Sequence, residues 1–434
     1  MRFDGLWKHP DFLRLWAGQT VSVFGSLITH ATLPFIAALL LDASALQMAG
    51  LAAAGMAPSV LVAMHAGVWV DRLRRRPVMI AADLLRAAII ITIPIAFWFD
   101  ALHIAHLYVV ALGSGVLTIF FDVAYQSYLP TLVSRDELLE GNSKLTASAS
   151  VSEFAGFSVS GWLVQVFNGP VALLIDAATF VGSAFSLGAI RSPEPPPIPA
   201  AERTSVREEA VDGLRTVMRA PVLRALALTQ AFAAFGFGVF AALYTLFVTR
   251  GLGFEPALLG VIYGIGGISS LLGALFAQRA ARRWGVGPAM CAGVTMMGVS
   301  MLFIAAAPEA GVIGAVLLIA QQISGDGMYT VYDVNAVSLR QSMVDDRMLG
   351  RVNAFMRMLE LAFTLTGVLL GGVIGEFVGL RAAMTLSACF VITGGVLLIL
   401  SPARGIRSAP AVAPLEPGSA LSLEAGVPQP PAYP

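Results

Sequence analysis

Long apolar runs, separated by short polar segments, make up most of the chain. A helix needs about 20 apolar residues to cross the hydrocarbon core of a bilayer. Strands of a membrane barrel alternate apolar and polar residues over about ten positions, so longer and uniformly apolar runs indicate helices. Twelve runs qualify, near residues 14–40, 46–69, 77–98, 106–128, 143–167, 170–190, 222–249, 257–280, 287–307, 311–336, 353–376 and 380–401. The pattern predicts an all-α membrane protein with twelve transmembrane helices.

The composition supports a membrane location and excludes several classes of soluble protein. Of the 434 residues, 57% are hydrophobic and 12% are charged, whereas a soluble protein carries about 25% charged residues. A larger soluble protein would still need a wettable surface, so the shortfall excludes a soluble enzyme, a nucleic-acid binder and a disordered chain. Net charge is +0 and both cysteines lie in apolar runs. No polyanionic partner, disulfide framework, metal site or cofactor is therefore expected.

The distribution of lysine and arginine predicts the orientation in the membrane. With the N-terminus in the cytoplasm, the outside loops hold only Arg250 and Arg381 of the 27 basic residues, and Arg86 and Arg357 lie within helices. The remaining basic residues are then cytoplasmic, as the positive-inside rule requires. We expect a multi-pass protein of the bacterial plasma membrane with both termini in the cytoplasm.

A proline-rich segment divides the chain into two parts with six predicted helices each. Residues 192–199 hold five prolines, which indicates a semi-rigid linker. Apolar residues then recur at helical spacing opposite a charged face, which predicts an amphipathic helix on the cytoplasmic membrane surface. The predicted organisation is an N-terminal half at residues 1–191, a linker at 192–220, a C-terminal half at 221–402 and a disordered cytoplasmic tail at 403–434.

The two parts resemble each other, which indicates an internal repeat. A shift of 211 residues places Asp122 on Asp333 and Asn142 on Asn353, and a shift of 207 places the basic residues 72–76 on 279–283. Each matching pair has the same place in a layout of six plus six helices. Duplicated halves that face each other across a central cavity are typical of transporters, in which one half can rock against the other.

Several motifs resemble those of a known family. The segment 67–76, read Gly67-Val68-Trp69-Val70-Asp71-Arg72-Leu73-Arg74-Arg75-Arg76, resembles the signature loop between the second and third helices of the major facilitator superfamily. Four further stretches resemble its bacterial efflux branch, which contains macrolide, siderophore and lysophospholipid transporters. These stretches are residues 12–19, 129–130, 338–341 and 350–354. The resemblance implies a secondary transporter that works by alternating access, and it implies export as the direction.

Three ionisable residues near the middle of predicted helices are candidates for proton coupling or substrate binding: Glu153, Asp326 and His30. A charge at mid-bilayer costs about 2.5–3.5 kcal/mol on insertion scales. Neither acid has a basic residue within one helical turn, so each is expected to exchange a proton or to bind a cationic substrate. His30 titrates near neutrality without further help. The alternative is a protonated carboxyl bonded to a nearby serine or to the backbone.

Two further acids have an arginine one turn away on the same helix. Asp83 and Arg86 have the i,i+3 spacing of an ion pair, and we expect them to neutralise each other. Arg357 and Glu360 have the same spacing. They lie on the eleventh predicted helix, which lines the central cavity in the fold that the resemblance implies. This second pair is either self-neutralising or available to substrate and proton.

The same fold places basic loops near acids at the cytoplasmic ends of the fourth and tenth helices. We expect ion pairs between these groups to close the cytoplasmic side in the outward-facing state. The alternative is that the arginines only follow the positive-inside rule. The predicted cytoplasmic gate consists of Asp71, Arg72, Arg76, Asp122, Arg283 and Asp333.

The sequence therefore predicts a transporter that exports a small amphipathic compound, such as a drug, a siderophore or a secondary metabolite, in exchange for protons. The alternatives within transport are a proton-independent facilitator and a lysophospholipid transporter. A non-transporting membrane receptor or assembly factor is the alternative of another class. An enzyme is not expected, because no nucleophile and base or metal constellation is present. The expected partners are the small-molecule substrate, protons and the lipid bilayer, without nucleic acid; the oligomeric state stays open, and a monomer is compatible with the pattern.

Overall fold

The computed structural model describes residues 5–62, 69–70, 72–194 and 206–408, and these residues form helices and no strands. The N-terminal group consists of α1 (Pro10–Phe35), α2 (Ala45–Leu61), α3 (Arg75–Ile90), α4 (Ile104–Leu132), α5 (Leu138–Phe167) and α6 (Gly169–Gly188). A separate helix, α7 (Val206–Arg219), follows. The C-terminal group consists of α8 (Pro221–Leu246), α9 (Pro256–Trp284), α10 (Val286–Ala306), α11 (Val312–Met343), α12 (Asp346–Phe377) and α13 (Leu380–Leu400). The prediction of an all-α membrane protein is confirmed.

Each predicted apolar run overlaps one of these helices, but the runs are not equally apolar. Nine helical segments of the described part are long and apolar enough to cross a membrane, and one of them is α3 continued by the short helix Thr92–Trp98. Of the other three, α2 has only 17 described residues, and its predicted run continues into residues outside the described part. The remaining two, α5 and α11, are 30 and 32 residues long. They carry Glu153 and Asp326 among their polar residues, which lowers their hydropathy. The count of twelve spans stays a prediction.

The two groups share the same arrangement of helices. In the N-terminal group α1 contacts α5 and α6, and α4 contacts α2 and α3. In the C-terminal group the corresponding helices make the same contacts: α8 contacts α12 and α13, and α11 contacts α9 and α10.

A constant offset in the sequence relates the helices of the two groups. The first residues of α1 and α8, Pro10 and Pro221, are 211 residues apart. The same offset relates the starts of α2 and α9, of α3 and α10, and of α6 and α13. It also relates the π-helical turns Ile36–Leu40 and Phe247–Gly251, which follow α1 and α8. This offset equals the shift that the sequence identities predict.

Local sequence signals explain where several helices begin. The ring of His9 accepts a hydrogen bond from the Phe12 amide at 3.0 Å at the start of α1. Ser44 and Gln47 form a reciprocal capping box at the start of α2, which satisfies amide groups that a helix leaves unpaired. Asn168 alone separates α5 from α6; it adopts a positive φ of 65°, and its side chain accepts from the Val171 amide at 3.2 Å.

A buried ion pair lies at the centre of the N-terminal group. The side chains of Asp83 and Arg86 are 0% and 2% exposed and form the predicted pair on α3. Arg86 also donates to the hydroxyls of Ser22 on α1 and Thr118 on α4, at 3.3 and 3.4 Å. Its guanidinium lies over the rings of Phe121 and Phe180, 4.7 and 4.2 Å from their centroids. One side chain therefore joins α1, α3, α4 and α6.

A second buried carboxyl ties α6 to α1. Asp176 is fully buried and accepts hydrogen bonds from Thr29 on α1 and from Thr179, the latter at 3.1 Å. Gly25 on α1 lies so close that a Cβ atom there would meet the side chains of Asp176 and Thr179. The absence of a side chain at Gly25 therefore lets α1 and α6 approach around this carboxyl.

The two groups are joined by hydrogen bonds at one end of the bundle, here called the closed end. Arg250 donates to the Ala43 carbonyl at 2.9 Å, and Glu376 accepts from the Leu46 amide at 3.3 Å. Gln165 on α5 donates to Glu255 at 2.7 Å and accepts from the amide of Ala257 at 3.0 Å. Leu46 and Ala257 lie in the first turns of α2 and α9. Side chains of one group thus cap helices of the other group.

The segments that flank α7 are attached to both groups. Glu194 accepts from the amides of Arg75 and Arg76 at the start of α3, at 2.5 and 3.2 Å. On α7, Asp212 forms an ion pair of 2.8 Å with Arg351 of α12. The apolar residues of α7 divide between two sides: Val217 is buried in the protein, whereas Val211, Leu214 and Met218 are exposed. The helix is therefore amphipathic, and its location at the membrane surface stays a prediction.

The C-terminal segment is ordered further than the sequence indicates. The predicted disordered tail starts at residue 403, but Pro402–Gly405 form a short 3₁₀ helix. The Ile406 carbonyl accepts from the Gly287 amide at 2.8 Å, and Arg407 donates to the Trp284 carbonyl at 2.7 Å. These backbone partners at the α9–α10 turn explain why the segment is fixed. Residues 409–434 lie outside the described part.

We predict that the Asp83–Arg86 pair is required as a pair. Arg86→Met should lower the free energy of unfolding by about 3–5 kcal/mol, because it leaves a buried carboxylate without a partner. The double variant Asp83→Asn/Arg86→Met should recover most of this loss. Unfolding of the detergent-purified protein, followed by intrinsic fluorescence, measures both effects. Arg224→Met, which removes an exposed arginine on α8, is the control, and equal losses in the single and double variants would contradict the prediction.

Candidate functional site

The structure brings two of the predicted site residues, Glu153 and Asp326, into one cavity. This inter-group cavity has a volume of about 560 Å³. It lies between α5 of the N-terminal group and α9 and α11 of the C-terminal group. Its lining residues are Ser150, Val151, Glu153, Phe157, Tyr263, Gly266, Gly267, Ile268, Ser270, Leu271, Ala274, Gln322 and Asp326. The two carboxyls come from different halves of the chain, and no basic residue is among the lining residues.

The shape of this cavity depends on the glycines of α9. A Cβ atom at Gly266 would meet the carboxylate of Asp326 at 2.5 Å and the amide of Gln322 at 2.6 Å. Both polar side chains therefore lie directly against the backbone of α9. Glu153 is exposed on α5, one turn before Phe157. Neither Glu153 nor Asp326 takes part in an ion pair with another described residue.

Aromatic rings connect the third candidate, His30, to the same cavity. The ring of His30 on α1 lies 6.5 Å from that of Phe157, and Phe157 lies 5.4 Å from Tyr263. Tyr263 in turn lies 5.8 Å from Tyr244 on α8. The contact between Phe157 and Tyr263 crosses from one group to the other. His30 therefore contacts a lining residue of the cavity, Phe157, but does not line the cavity itself.

A second cavity, the C-group cavity, lies entirely within the C-terminal group and has a volume of about 620 Å³. Helices α8, α11 and α12 form its walls. Its lining residues are Leu226, Gln230, Ala234, Phe237, Ala241, Tyr329, Tyr332, Asp333, Ala336, Val337, Arg340, Asn353, Met356, Arg357, Glu360 and Thr364. Arg357 and Glu360 form the predicted pair at 3.6 Å. Glu360 also accepts from the side-chain amide of Gln230 at 3.2 Å.

The predicted gate residues do not pair with one another in this structure, as far as it describes them. Arg72 and Arg283 are exposed, and so are Asp122 and Asp333. Arg76 donates to the carbonyls of Leu187 and Gly188 at the end of α6. The sixth residue, Asp71, lies outside the described residues. The gate is predicted for the outward-facing state, and it stays a prediction.

Sequence reasoning missed Arg340 as a cavity residue. Arg340 lies seven residues after Asp333 on α11, which puts both on one side of the helix after two turns. The same spacing separates Asp326 from Asp333. The heptad spacing of these charges was the signal available in the sequence. Sequence reasoning also missed the buried place of Asp176 between α1 and α6, which depends on the close approach of the helices at Gly25.

A bundle of membrane-crossing helices around charged interior cavities is the architecture of a membrane transporter. The Major Facilitator Superfamily model matches residues 15–359 and 226–425, and the chain belongs to this superfamily. Members of the superfamily are transporters, so the chain is a membrane transporter and not an enzyme. The resemblance noted in the sequence is confirmed.

Similar proteins include bacterial efflux pumps. The multidrug efflux pump Tap of Mycolicibacterium fortuitum is 28% identical over 414 residues, which cover 91% of this chain and 96% of that protein. The macrolide efflux protein A of Streptococcus pyogenes is 28% identical over 189 residues, which cover 43% of this chain and 46% of that protein. Among solved structures, a bacterial homologue of the iron transporter ferroportin has a TM-score of 0.72 and 16% identity, with 90% of this chain and 98% of that chain covered. The nucleoside transporter NupG has a TM-score of 0.68 and 13% identity, with 91% and 98% covered; both structures share the fold.

We predict that a side chain at Gly161 prevents the closed end from forming. A Cβ atom there would meet the backbone of Pro256 and Gly260 on α9, and a helix backbone cannot move aside locally. Gly161→Leu should therefore separate α5 from α9. The measurement is the rate at which a maleimide labels Tyr263→Cys in the detergent-purified protein, in a chain whose two native cysteines are replaced by serine.

Gly182→Leu is the matched control, because a Cβ atom at Gly182 meets nothing within 4 Å. We expect faster labelling with Gly161→Leu than with Gly182→Leu. The same labelling rate in both variants would show that the close approach at Gly161 does not hold the closed end together.

Proposed function

We propose that the chain exports a small amphipathic compound with a basic group in exchange for protons, by alternating access. The observation that carries this proposal is the pair of carboxyls, Glu153 and Asp326, in one cavity without a basic residue. A carboxylate in such surroundings is stabilised by binding a proton or a cation. Proton and substrate then compete for the same groups, and this competition is what couples their movements in opposite directions.

The aromatic lining supports a substrate with an apolar body. Phe157 and Tyr263 lie beside the two carboxyls and present ring surfaces to the same space. Aromatic faces attract organic cations by an interaction worth about 0.5–2 kcal/mol. The printed names of the curated relatives, multidrug efflux pump and macrolide efflux protein, support export of such compounds.

The rocking movement is supported by the matching arrangement of the two groups. Their helix contacts correspond, and four pairs of helix starts share the 211-residue offset. We interpret the groups as duplicated halves with six transmembrane helices each. The hydrogen bonds at the closed end are few, so breaking them lets the halves separate there. The gate residues Arg72, Arg76, Asp122, Arg283 and Asp333 would then meet at the opposite end.

The positive-inside rule orients this cycle in the bacterial plasma membrane. Arg72, Arg76 and Arg283 lie at the end opposite to the closed end, and this basic end would face the cytoplasm. The closed end would then face outward, and both termini would be cytoplasmic. In this orientation the structure corresponds to a state that receives substrate from the cytoplasm.

We predict that Glu153→Gln and Asp326→Asn each abolish substrate-triggered proton movement, while the carboxyl that remains retains weakened substrate binding. The amide keeps the size of the side chain but cannot exchange a proton. The measurement uses proteoliposomes loaded with a pH-sensitive dye and challenged with tetraphenylphosphonium or erythromycin. Glu309→Gln, which changes an exposed loop residue, is the control and should retain wild-type flux.

Each of the other outcomes points to a different conclusion. Unchanged proton flux in Glu153→Gln would remove this residue from the coupling mechanism. Substrate transport by the wild type without proton movement would replace antiport with facilitated diffusion. Binding without any flux would indicate a receptor.

A further inference from the structure

The C-group cavity differs in its charges from the inter-group cavity. The inter-group cavity holds two acids and no base, whereas the C-group cavity holds Asp333 and Glu360 together with Arg340 and Arg357. A compound with only positive charge fits the first set of residues. The residues of the C-group cavity present both positive and negative charges to a bound ligand.

The charges of the C-group cavity are not all neutralised within the protein. Glu360 is paired with Arg357 at 3.6 Å and accepts from Gln230. Asp333 and Arg340 form no ion pair with a described residue within 4.0 Å, although both line the same cavity. One carboxylate and one guanidinium therefore remain for a ligand.

Unpaired polar atoms mark the same region. The Nε atom of Arg340 and the Oδ1 atom of Asn353 are buried without a hydrogen-bond partner. A buried donor or acceptor that is left unsatisfied destabilises the protein, and it does so more when the group is charged. A ligand that forms hydrogen bonds with these two atoms would satisfy both of them.

Aromatic rings give this cavity an apolar surface in addition to its charged one. The ring of Phe237 on α8 lies 4.8 Å from that of Tyr329 in an edge-to-face contact. Tyr329 lies 5.6 Å from Tyr332 on the same helix. These three rings form an apolar wall beside Asp333, which suits a ligand with a hydrophobic body.

We propose that the C-group cavity binds a zwitterionic amphiphile, with its anionic group on Arg340 and its cationic group at Asp333. A guanidinium binds carboxylate or phosphate with two parallel hydrogen bonds. The two residues lie two turns apart on α11, so one ligand spans both. The volume of about 620 Å³ lies in the range of about 300–1,000 Å³ that is usual for small-molecule sites.

The proposal rests on the proposed function only in that the ligand is a transported compound. A purely cationic ligand would leave Arg340 without a partner, and burying an uncompensated charge is costly. The required chemistry, an amine and an acid on one amphipathic molecule, occurs in small zwitterionic drugs and in the headgroup of a lysophospholipid. Both sources are compatible with the same residues, and the experiment separates them.

The test compares matched ligands on the full-length protein in nanodiscs, without a proton gradient. Norfloxacin is a zwitterion with an amine and a carboxylate, and its methyl ester keeps the amine and the ring system but lacks the carboxylate. Lysophosphatidylethanolamine and lysophosphatidylglycerol are a zwitterionic and an anionic lipid of the same size class. Ligand fluorescence and competition give the dissociation constants.

We expect the wild type to bind norfloxacin, or lysophosphatidylethanolamine, about tenfold more tightly than the matched ester or anionic lipid, which corresponds to about 1.4 kcal/mol. Arg340→Gln should remove the preference for norfloxacin over its ester and leave the affinity for the ester within twofold. Asp333→Asn should remove the preference for the zwitterionic lipid, because the two lipids share the phosphate and differ in the amine. Arg279→Gln is the control, because it removes the same charge from an exposed position on α9. A preference for norfloxacin assigns the site to a free zwitterion, and a preference for the zwitterionic lipid assigns it to a headgroup.

Two results would overturn the proposal. One is equal binding of the two members of each ligand pair by the wild type, which would show that neither the acid in the first pair nor the amine in the second pair is recognised. The other is an unchanged preference for norfloxacin over its ester in Arg340→Gln, or for the zwitterionic over the anionic lipid in Asp333→Asn. If Arg340→Gln does not fold, Arg340→Lys provides the comparison and should reduce the preference for norfloxacin over its ester. This experiment measures ligand binding and no proton flux. A negative result would therefore contradict the zwitterion proposal without bearing on the antiport proposal.

Discussion

The low polarity of the membrane interior is the constraint on which the rest of this structure depends. Within it, a charge needs a partner, a proton or a ligand. Asp83 and Arg86 satisfy the requirement inside the protein, with hydroxyl and aromatic neighbours on four helices. Glu153 and Asp326 do not, because they line a cavity that contains no basic residue. The same constraint thus produces a structural centre in one place and an unpaired set of carboxyls, the candidate site, in the other.

The way in which the two groups are joined fits a movable interface. Close glycine contacts join helices within each group and also between the groups, where Gly161 lies against α9 and Gly372 lies against α2. Between the groups, Gln165 and Glu376 also cap the first turns of α9 and α2. Hydrogen bonds of this kind contribute about 0.5–1.5 kcal/mol each, and water can replace each partner if the interface opens. In the proposed cycle, opening the closed end would exchange these caps for water and separate the glycine contacts.

The sequence predicted the features that depend on local patterns. The helices follow from the apolar runs, and the Asp83–Arg86 and Arg357–Glu360 pairs follow from i,i+3 spacing on one helix. The meeting of Glu153 and Asp326 could not be predicted in this way, because it depends on how α5 packs against α9 and α11 across the interface. The buried place of Asp176 was missed for the same reason, since it depends on a glycine contact between α1 and α6. Contacts between distant segments carry the information that periodicity lacks.

One helix connects the two cavities and thereby the two proposed ligands. Asp326 lines the inter-group cavity, Asp333 and Arg340 line the C-group cavity, and all three lie on α11 at intervals of seven residues. In the proposed cycle, a shift of this 32-residue helix on proton binding at Asp326 would also displace Asp333 and Arg340. A ligand on those two residues would then have a different affinity for each position of α11. Such differential binding is what coupling between two sites requires, and it would add to the competition at the two carboxyls of the inter-group cavity.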